Sequence, residues 1–321
     1  MPSPSRRQFL SSLPAAAAGV MLSQCSTPEP EAPLLTETIP GSPTLYRGRL
    51  PYSSVFIGDS KFQSLCDQAR RENWAALPQG ERTMAVAKAL LGTPYGNYTL
   101  EIDDRIEAPS VNFTQLDCWT YYETSLAFAR LVKSQPEPWT GPDMLRCIEM
   151  ERYRGGHCDG TYLSRMHHLE EVFYDNERRG LGRNVTRSLG GVPIHRNIRE
   201  MQIAWHHYRY LSHNPSLRSG IAKVEARVSK LPVHYIPRTH VSGIESEIQT
   251  GDILAIVSGD DSGYTSHVGM ALREGPTCRF VHATSMHDKG HRCIIDGRIS
   301  HYLAERADHI GLIVFRPGEA V

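Results

Sequence analysis

The stretch from Leu116 to Thr124 has the residue types for nucleophilic chemistry, because a cysteine stands between a helix-capping residue and a helical run. Asp117 is a strong N-cap type. Apolar side chains then recur at helical spacing and predict one buried helix face. These are Tyr122, Leu126, Ala129 and Val132. Cys118 would stand in the first turn, where the helix dipole favours a thiolate. The alternative is an inert buried cysteine, since free cysteine is among the most buried residue types.

A nucleophilic cysteine needs a histidine to hold its charge and to carry the proton to the leaving group. Two candidates, His267 and His282, lie in neighbouring predicted strands. If Glu274-Gly275 forms a two-residue hairpin turn, the two histidines face each other with Cβ atoms about 5 Å apart. A slip of one residue would place them on opposite faces of the sheet. A single strand histidine is more often a core residue, but two that meet across a hairpin favour a catalytic site.

The elements that must position these residues form an α+β pattern. The C-terminal third is predicted to be β-structured, with strands at Ile253–Val257, His267–Leu272, Cys278–Ala283 and Ile310–Phe315. Amphipathic helices are predicted over Ser60–Trp74 and Gly80–Leu91, followed by a turn over Gly92–Tyr98. Tyr95 lies in this turn and is a candidate binding residue, with ordinary packing as the alternative.

A long section from about residue 135 to 245 separates Cys118 from the predicted sheet and carries most of the histidines. Its most distinctive stretch, Tyr153 to His168, has glycine turns around aromatic, basic and histidine side chains, which suits a loop that binds a polar ligand. The candidate substrate-binding residues here are Tyr162, Arg165 and His167. The alternative is a solvated loop that leads into a helix at about Leu163–Phe173.

The histidines of this section also raise the possibility of a metal site. The candidate ligands are His167, His168, His206 and His207, with Asp159 or Glu170 to complete the set. Adjacent histidines on a helix point in different directions, and the chain has no HExxH spacing. We therefore predict neither a metal nor another cofactor.

Composition excludes two classes of partner. The chain has 35 basic and 35 acidic residues, so no global field would hold nucleic acid or an anionic membrane surface. With 321 residues and 40% hydrophobic residues it can fill a large core. We expect a single catalytic domain over residues 51–321, interrupted by the insert at about 135–245, and a monomer.

The N-terminal residues have the pattern of an export signal. A twin-arginine motif, Ser5–Leu10, precedes a short apolar run, so residues 1–25 are predicted to be a removable signal. The run ends at Cys25 in a lipobox-like sequence, but Gln24 replaces the small residue expected there, which leaves lipid attachment open. Residues 26–50 are predicted to be a flexible linker. The protein is then exported, either to the periplasm or as a lipoprotein anchored to the outer membrane.

Six cysteines remain after this signal: Cys66, Cys118, Cys147, Cys158, Cys278 and Cys293. An oxidising compartment permits disulfides, but sequence alone does not fix their pairing. If Cys118 is the nucleophile, it must stay unpaired.

Five short motifs together resemble NlpC-type cell-wall cysteine peptidases, a papain-like group. They are Gly92–Tyr95, Asp117-Cys118, Thr250–Ile253, Ser266–Gly269 and Phe280–Ala283, in that order. More closely, the chain is similar to the N-acetylmuramoyl-L-alanine amidase-like family of exported bacterial proteins, through Thr120–Thr124 and through Ser164-Arg165-x-His167. This resemblance runs from about residue 85 to the end of the chain.

The resemblance implies a papain-like core in which the cysteine helix packs on an antiparallel sheet. It implies that Cys118 is the nucleophile, His267 the general base and then acid, and His282 the residue that orients His267. The substrate would be peptidoglycan or a muropeptide, cut at the amide between N-acetylmuramic acid and L-alanine. Two departures, the long insert and Trp119 in place of a small residue, make the endopeptidase specificity of the simpler NlpC proteins uncertain.

Two other functions stay open at this stage. One is cleavage of the stem peptide between D-glutamate and the diamino acid. The other is a non-catalytic, envelope-anchored protein that binds cell-wall fragments in the same pocket.

Overall fold

The computed structural model of the protein describes residues 45–46 and 50–319. The predicted signal and the lipobox-like Cys25 lie outside these residues. The first described elements are β1 (Leu45–Tyr46) and β2 (Leu50–Pro51), which pair with each other and fall at the end of the predicted linker. Within the described part of the chain, no helix has both the length and the apolar character that crossing a bilayer requires.

The core of the fold is an eight-stranded sheet with antiparallel pairings. Its strands are β5 (Gly182–Asn184), β6 (Val192–Pro193), β7 (His234–Pro237), β8 (Ile253–Ser258), β9 (Thr265–Glu274), β10 (Thr277–Ala283), β11 (Cys293–Arg298) and β12 (His309–Pro317). The spatial order is β11-β10-β9-β8-β12-β7-β6, and β5 also pairs with β12. A separate parallel pair consists of β3 (Phe56–Ile57) and β4 (Val111–Asn112).

Helices cover both faces of this sheet and build the N-terminal half of the molecule. They are α1 (Tyr52–Val55), α2 (Asp59–Arg71), α3 (Gln79–Ala89), α4 (Cys118–Ser134), α5 (Gly141–Arg152), α6 (Leu169–Arg178), α7 (Glu200–Ile203), α8 (Arg209–His213), α9 (Arg218–Val228), α10 (Arg238–Ile244) and α11 (Ile299–Ala304). The structure therefore confirms a mixed α and β fold in which the cysteine helix packs on an antiparallel sheet. All four predicted strands are present, each within three residues of its predicted ends.

Helix α4 is buried on every side. Residues 119 to 132 are all buried, because β9 and β10 lie against one side of the helix and α3 and α5 lie against others. The single buried face predicted from apolar spacing was therefore too narrow. Because α4 is enclosed on all sides, we expect the side chain at its first turn to be held rigidly.

Two predicted elements are wrong in position. The helix expected at about 163–173 is a short 3₁₀ turn at Tyr162–Ser164, and α6 begins only at Leu169, because the backbone of Arg165 is extended. The β9–β10 hairpin turns at Gly275-Pro276 instead of Glu274-Gly275, with Arg273 paired to Cys278. This register is shifted by two residues from the predicted one.

The shift of two residues has a simple consequence for the histidines. Side chains alternate between the faces of a strand, so an even shift keeps His267 and His282 on the same face. They are diagonal neighbours instead of direct partners. The face they share with Phe280 and Ala271 is the one covered by α10 and α11, whereas Val268 and Met270 pack toward α4.

Candidate active site

One open cleft gathers most of the residues singled out from the sequence. Six of the seven predicted site residues line it: Tyr95, Cys118, Tyr162, Arg165, His167 and His267. His282 lies behind His267 and is 2% exposed. The cleft therefore brings the α4 N-terminus, the Gly92–Tyr98 turn, the insert and β9 to one place.

Cys118 is the first residue of α4, and its position is fixed by a capping box. The Asp117 carboxylate accepts from the Thr120 backbone N–H at 2.7 Å, and the Thr120 hydroxyl accepts from the Asp117 N–H at 2.9 Å. The Thr99 hydroxyl donates to the second Asp117 oxygen at 2.8 Å, which ties the loop before the cleft to the same cap. The helix start that carries the thiol is thus doubly anchored, as the sequence predicted for Asp117 but not for Thr99.

His267 is held by a series of hydrogen bonds that leads away from the cleft. Its Nε2 lies 2.8 Å from His282 Nδ1, and His282 Nε2 lies 3.3 Å from Asp296 Oδ2. Lys289 Nζ donates to the same carboxylate oxygen at 2.5 Å, and the Gly297 N–H donates to the other at 2.7 Å. A β-bulge between the pairings of Ile256 and Val257 lies beside His267 and changes the direction of β9 there.

Burial favours the neutral form of both histidines. Burial lowers the pKa of His267 well below its usual value, and repulsion from a protonated His282 and from Arg306 acts in the same direction. Burial also lowers the pKa of His282, although Asp296 opposes this effect. Burial would raise the pKa of Asp296, but hydrogen bonds from His282 and Lys289 outweigh it and hold that pKa well below its usual value. A neutral His267 is the form that accepts a thiol proton.

Gly269 in the His-Val-Gly motif makes room for an aromatic ring that supports His282. A Cβ at this position would lie 2.6 Å from Phe280 Cε2 and 2.5 Å from the Val281 carbonyl oxygen. The Phe280 ring stacks on His282 with centroids 4.6 Å apart and planes at 18°. The absence of a side chain at Gly269 therefore allows the Phe280 ring to stack on His282 and to fix the plane of its imidazole.

We expect Gly269→Ala to lower the free energy of unfolding by about 1–3 kcal/mol, since the added methyl group overpacks a site closed by backbone. Urea denaturation measures this change. Gly297→Ala is the matched control on a strand of the same sheet, because nothing lies within 4 Å of a Cβ there. Equal stability of the two variants would show that Phe280 moves aside without cost.

Arg165 is largely buried and has acidic neighbours at the cleft. Its Nε lies 3.3 Å from Glu107 Oε1 and its Nη2 lies 3.8 Å from Glu101 Oε1, but neither nitrogen makes a hydrogen bond of good geometry to any residue that the structure describes. The guanidinium lies over the Tyr162 ring at 4.8 Å. The Tyr162 hydroxyl donates to Glu101 at 2.9 Å. Arg165 thus lines the cleft and has two buried guanidinium nitrogens without a hydrogen bond of good geometry to any described residue.

The other two predicted binding residues are held by backbone contacts. His167 Nε2 lies 2.9 Å from the Tyr162 carbonyl oxygen, and burial lowers the pKa of this histidine well below its usual value. Tyr95 is fixed by a backbone hydrogen bond to His291 at 2.9 Å, and its ring lies 5.2 Å from the His291 ring. Both side chains line the cleft as rigid walls.

Two motifs of the resemblance prove to be structural supports. Glu123 in the Thr120–Thr124 segment binds Arg152 of α5, with Arg152 Nη2 2.5 Å from Glu123 Oε2. In the Thr250–Ile253 segment, Gly251 adopts a φ of 84° and touches Gly80 at the start of α3, while Asp252 binds Arg316 through two contacts of 2.8 Å. Sequence reasoning named these residues without assigning them these roles.

The candidate metal ligands do not converge. Among the described residues, no group of three histidine, cysteine, aspartate or glutamate side chains could hold a metal ion. His168 Nε2 lies 3.8 Å from Glu225 Oε1, and the rings of His206 and His207 face each other 4.0 Å apart. Burial raises the pKa of Glu170 to about 7, so this carboxyl group is a poor anionic ligand at neutral pH.

The six cysteines of the described chain form no disulfide with one another. Cys118 is the only one of the six that is part-exposed. Burial raises the pKa of Cys66, Cys147 and Cys278 to about 12, which makes these thiols unreactive. Exposure therefore singles out Cys118 among these six as the candidate nucleophile.

The fold and the cleft define a mixed α/β protein with a cysteine at a buried helix start and a histidine pair on the adjoining antiparallel sheet. The model of the AmiA-like family, described as N-acetylmuramoyl-L-alanine amidase-like, matches residues 85–311. The chain belongs to this family, as the sequence motifs indicated. A comparison with curated proteins found no match.

Solved structures agree with this assignment. A crystal structure of an N-acetylmuramoyl-L-alanine amidase from Bacteroides uniformis ATCC 8492 is 26% identical, with a TM-score of 0.68 over 75% of this chain and 99% of that one. A second structure of an amidase of that name from the same strain is 26% identical, with a TM-score of 0.67 over 74% and 98% of the two chains. Protein LPG0564 from Legionella pneumophila str. Philadelphia 1, at 17% identity and a TM-score of 0.58, covers 81% of this chain and 95% of its own, and shows likeness of fold alone.

Proposed function

We propose that this protein is a cysteine-dependent hydrolase of peptidoglycan that cleaves the amide between N-acetylmuramic acid and L-alanine. One observation carries the proposal: Cys118 at the start of α4 and His267, hydrogen-bonded to His282, open onto the same cleft. Membership of the amidase-like family favours this bond over others. The papain-like relation to NlpC-type peptidases is part of the same proposal, as is export to the cell envelope.

The chemistry is acyl transfer through a thioester. His267 takes the thiol proton of Cys118, and the thiolate attacks the lactyl carbonyl carbon of the muramoyl group. The tetrahedral intermediate collapses as the protonated His267 gives its proton to the departing L-alanine amine. A water molecule, deprotonated by His267, then attacks the thioester carbonyl and releases the muramic acid carboxylate and the free thiol.

The developing oxyanion needs donors beside the thiol. The first turn of α4 presents backbone N–H groups and the positive end of the helix dipole there, and the Cys118 N–H is the natural donor. The Tyr95 hydroxyl is the second proposed donor, since Tyr95 lines the same cleft as Cys118.

Digestion of purified peptidoglycan and of soluble muropeptides tests the proposal. Mass spectrometry should detect free stem peptides that begin with L-alanine, and Cys118→Ala should abolish them. New termini at the diamino acid would instead identify a D-glutamyl endopeptidase. Intact substrate together with measurable binding would identify a non-catalytic module. Loss of activity with a chelator, followed by recovery with zinc, would overturn the cysteine mechanism.

Arg165 is proposed to bind a carboxylate or amide carbonyl of the stem peptide through its guanidinium fork. We expect Arg165→Lys to lower kcat/KM by about tenfold or more, on the order of 1.4 kcal/mol, because lysine keeps the charge but loses the fork. Arg154→Lys is the matched control: this arginine of the insert pairs with Glu171 at 2.8 Å and does not line the cleft.

Stability measurements separate binding from structure in this experiment. Arg165 is 3% exposed, so it could also serve to stabilise the fold. If its role is structural, Arg165→Lys should lower the melting temperature together with kcat/KM. If its role is binding, kcat/KM should fall without a matching loss of melting temperature. An Arg165→Lys variant with wild-type kinetics would show that Arg165 only fills the insert.

A further inference from the structure

We propose that Asp296, held by Lys289, is a positioning residue that fixes the tautomers of both histidines so that Nδ1 of His267 is the proton acceptor. This inference rests on the proposed function and deepens it. The residue comes from β11, outside every motif that the sequence singled out. Asp296 does not line the cleft and would act through His282.

The tautomers follow from the order of the contacts. An ionised carboxylate only accepts hydrogen bonds, so the His282 Nε2 beside Asp296 Oδ2 must carry a hydrogen. A neutral His282 then has a lone pair on Nδ1. Because His267 Nε2 lies 2.8 Å from that atom, it must be the donor and must also carry a hydrogen. The lone pair of a neutral His267 is therefore on Nδ1.

The surroundings of Asp296 require its carboxylate to act as a hydrogen-bond acceptor. Lys289 and His282 both approach Oδ2, and the Gly297 N–H approaches Oδ1, so three donors surround one carboxylate. Because both Oδ2 contacts are with donors, protonation of Oδ2 would set two hydrogens against each other at one of them. The order of donors and acceptors is therefore fixed: His282 donates to Asp296, and His267 donates to His282.

The remaining groups around the histidine pair come from the neighbouring elements. The Tyr302 ring on α11 stacks on His267 with centroids 6.1 Å apart and meets His282 edge to face with centroids 5.3 Å apart. Two residues that follow α11 also lie near the histidine pair: Arg306 adds a positive charge, and His309 adds a titratable ring. Asp296 is the one anion that the structure places in contact with the pair within the described residues, so its charge should have a measurable effect.

Two substitutions should move one titration in opposite directions. Asp296→Asn removes the negative charge while keeping the shape, so protonation of the histidine pair becomes harder. Lys289→Met removes the positive charge, so protonation becomes easier. The rate of Cys118 alkylation by iodoacetamide can be measured against pH without any substrate. Its fall at low pH, the acid limb of the profile, reports protonation of the histidine pair. We expect the midpoint of the acid limb to move down by about one pH unit in Asp296→Asn and up in Lys289→Met.

Asp288→Asn is the matched control. It removes the same charge from an exposed position on the loop that carries Lys289, and we expect no displacement of the acid limb. A structural role for Asp296 would slow alkylation without opposite displacements in the two variants. Unchanged acid limbs in both Asp296→Asn and Lys289→Met would overturn the inference.

Nitrogen NMR of the histidine rings tests the tautomers directly. In the wild-type protein we expect Nε2–H tautomers at both His267 and His282, and a mixture in Asp296→Ala, where the acceptor is gone. Wild-type tautomers with hydrogen on Nδ1 would contradict the inference. If muropeptides are not cleaved, the proposed function fails, while alkylation and NMR still decide the role of Asp296.

Discussion

Replacing His267 by glutamine is expected to lower kcat/KM on muramoyl peptides by about 10³-fold or more while leaving the fold intact. Glutamine can keep a hydrogen bond to His282, but it cannot accept the thiol proton or return it to the amine. The same variant should lose the fast alkylation of Cys118 near neutral pH, because the thiol loses its base. Steady-state kinetics and iodoacetamide labelling measure the two effects.

His301→Gln is the control for this experiment. His301 is an exposed histidine on α11, the helix that covers the same face of the sheet, so its replacement should change neither rate. Cys118→Ser should lose at least as much activity as His267→Gln, and the two losses should not add, since both residues serve one proton transfer. A His267→Gln enzyme within tenfold of wild type would remove His267 from the mechanism.

Short-range patterns were enough to predict the candidate site as a list of residues. Asp117 and Cys118 are adjacent in sequence, and a cap followed by helical spacing determines where the thiol lies. His267 and His282 are joined by one hairpin, so alternation placed them on one face even though the predicted turn was wrong. Because the register is shifted by an even number of residues, the two histidines still lie on the same face of the sheet. An odd shift would have placed them on opposite faces.

The sequence did not reveal the contacts that join distant segments. Lys289 lies in a loop and Asp296 in a strand without an apolar pattern, and nothing local indicates that they meet beside His282. Likewise, the helix predicted at 163–173 failed because Arg165 is drawn into an extended conformation beside Glu101 and Glu107, which come from a loop about sixty residues earlier. Tertiary pairing of buried charges overrode local helical spacing at this point.

The buried pair of Glu123 and Arg152 links the cysteine helix to the insert and should have the largest effect on stability. Arg152 Nε lies 3.1 Å from both Glu123 oxygens, and its Nη1 and Nη2 donate to the Ser110 hydroxyl and carbonyl at 3.0 and 2.9 Å. Each of the three guanidinium nitrogens therefore donates a hydrogen bond inside the protein. Both side chains are 2% exposed or less, so neither charge has water to replace a lost partner.

Arg152→Met is expected to lower the free energy of unfolding by about 3–5 kcal/mol, because it leaves the Glu123 carboxylate buried without its cation. The double variant Glu123→Leu/Arg152→Met should recover much of this loss, since it removes both charges together. Arg146→Met on the same helix is the control: its side chain is 63% exposed in an ion pair, and such pairs contribute about 0–1 kcal/mol. Urea denaturation of the four proteins measures the series. If the double variant is less stable than Arg152→Met, the unpaired charge is not the cause, and the lost contacts to Ser110 must account for the effect instead.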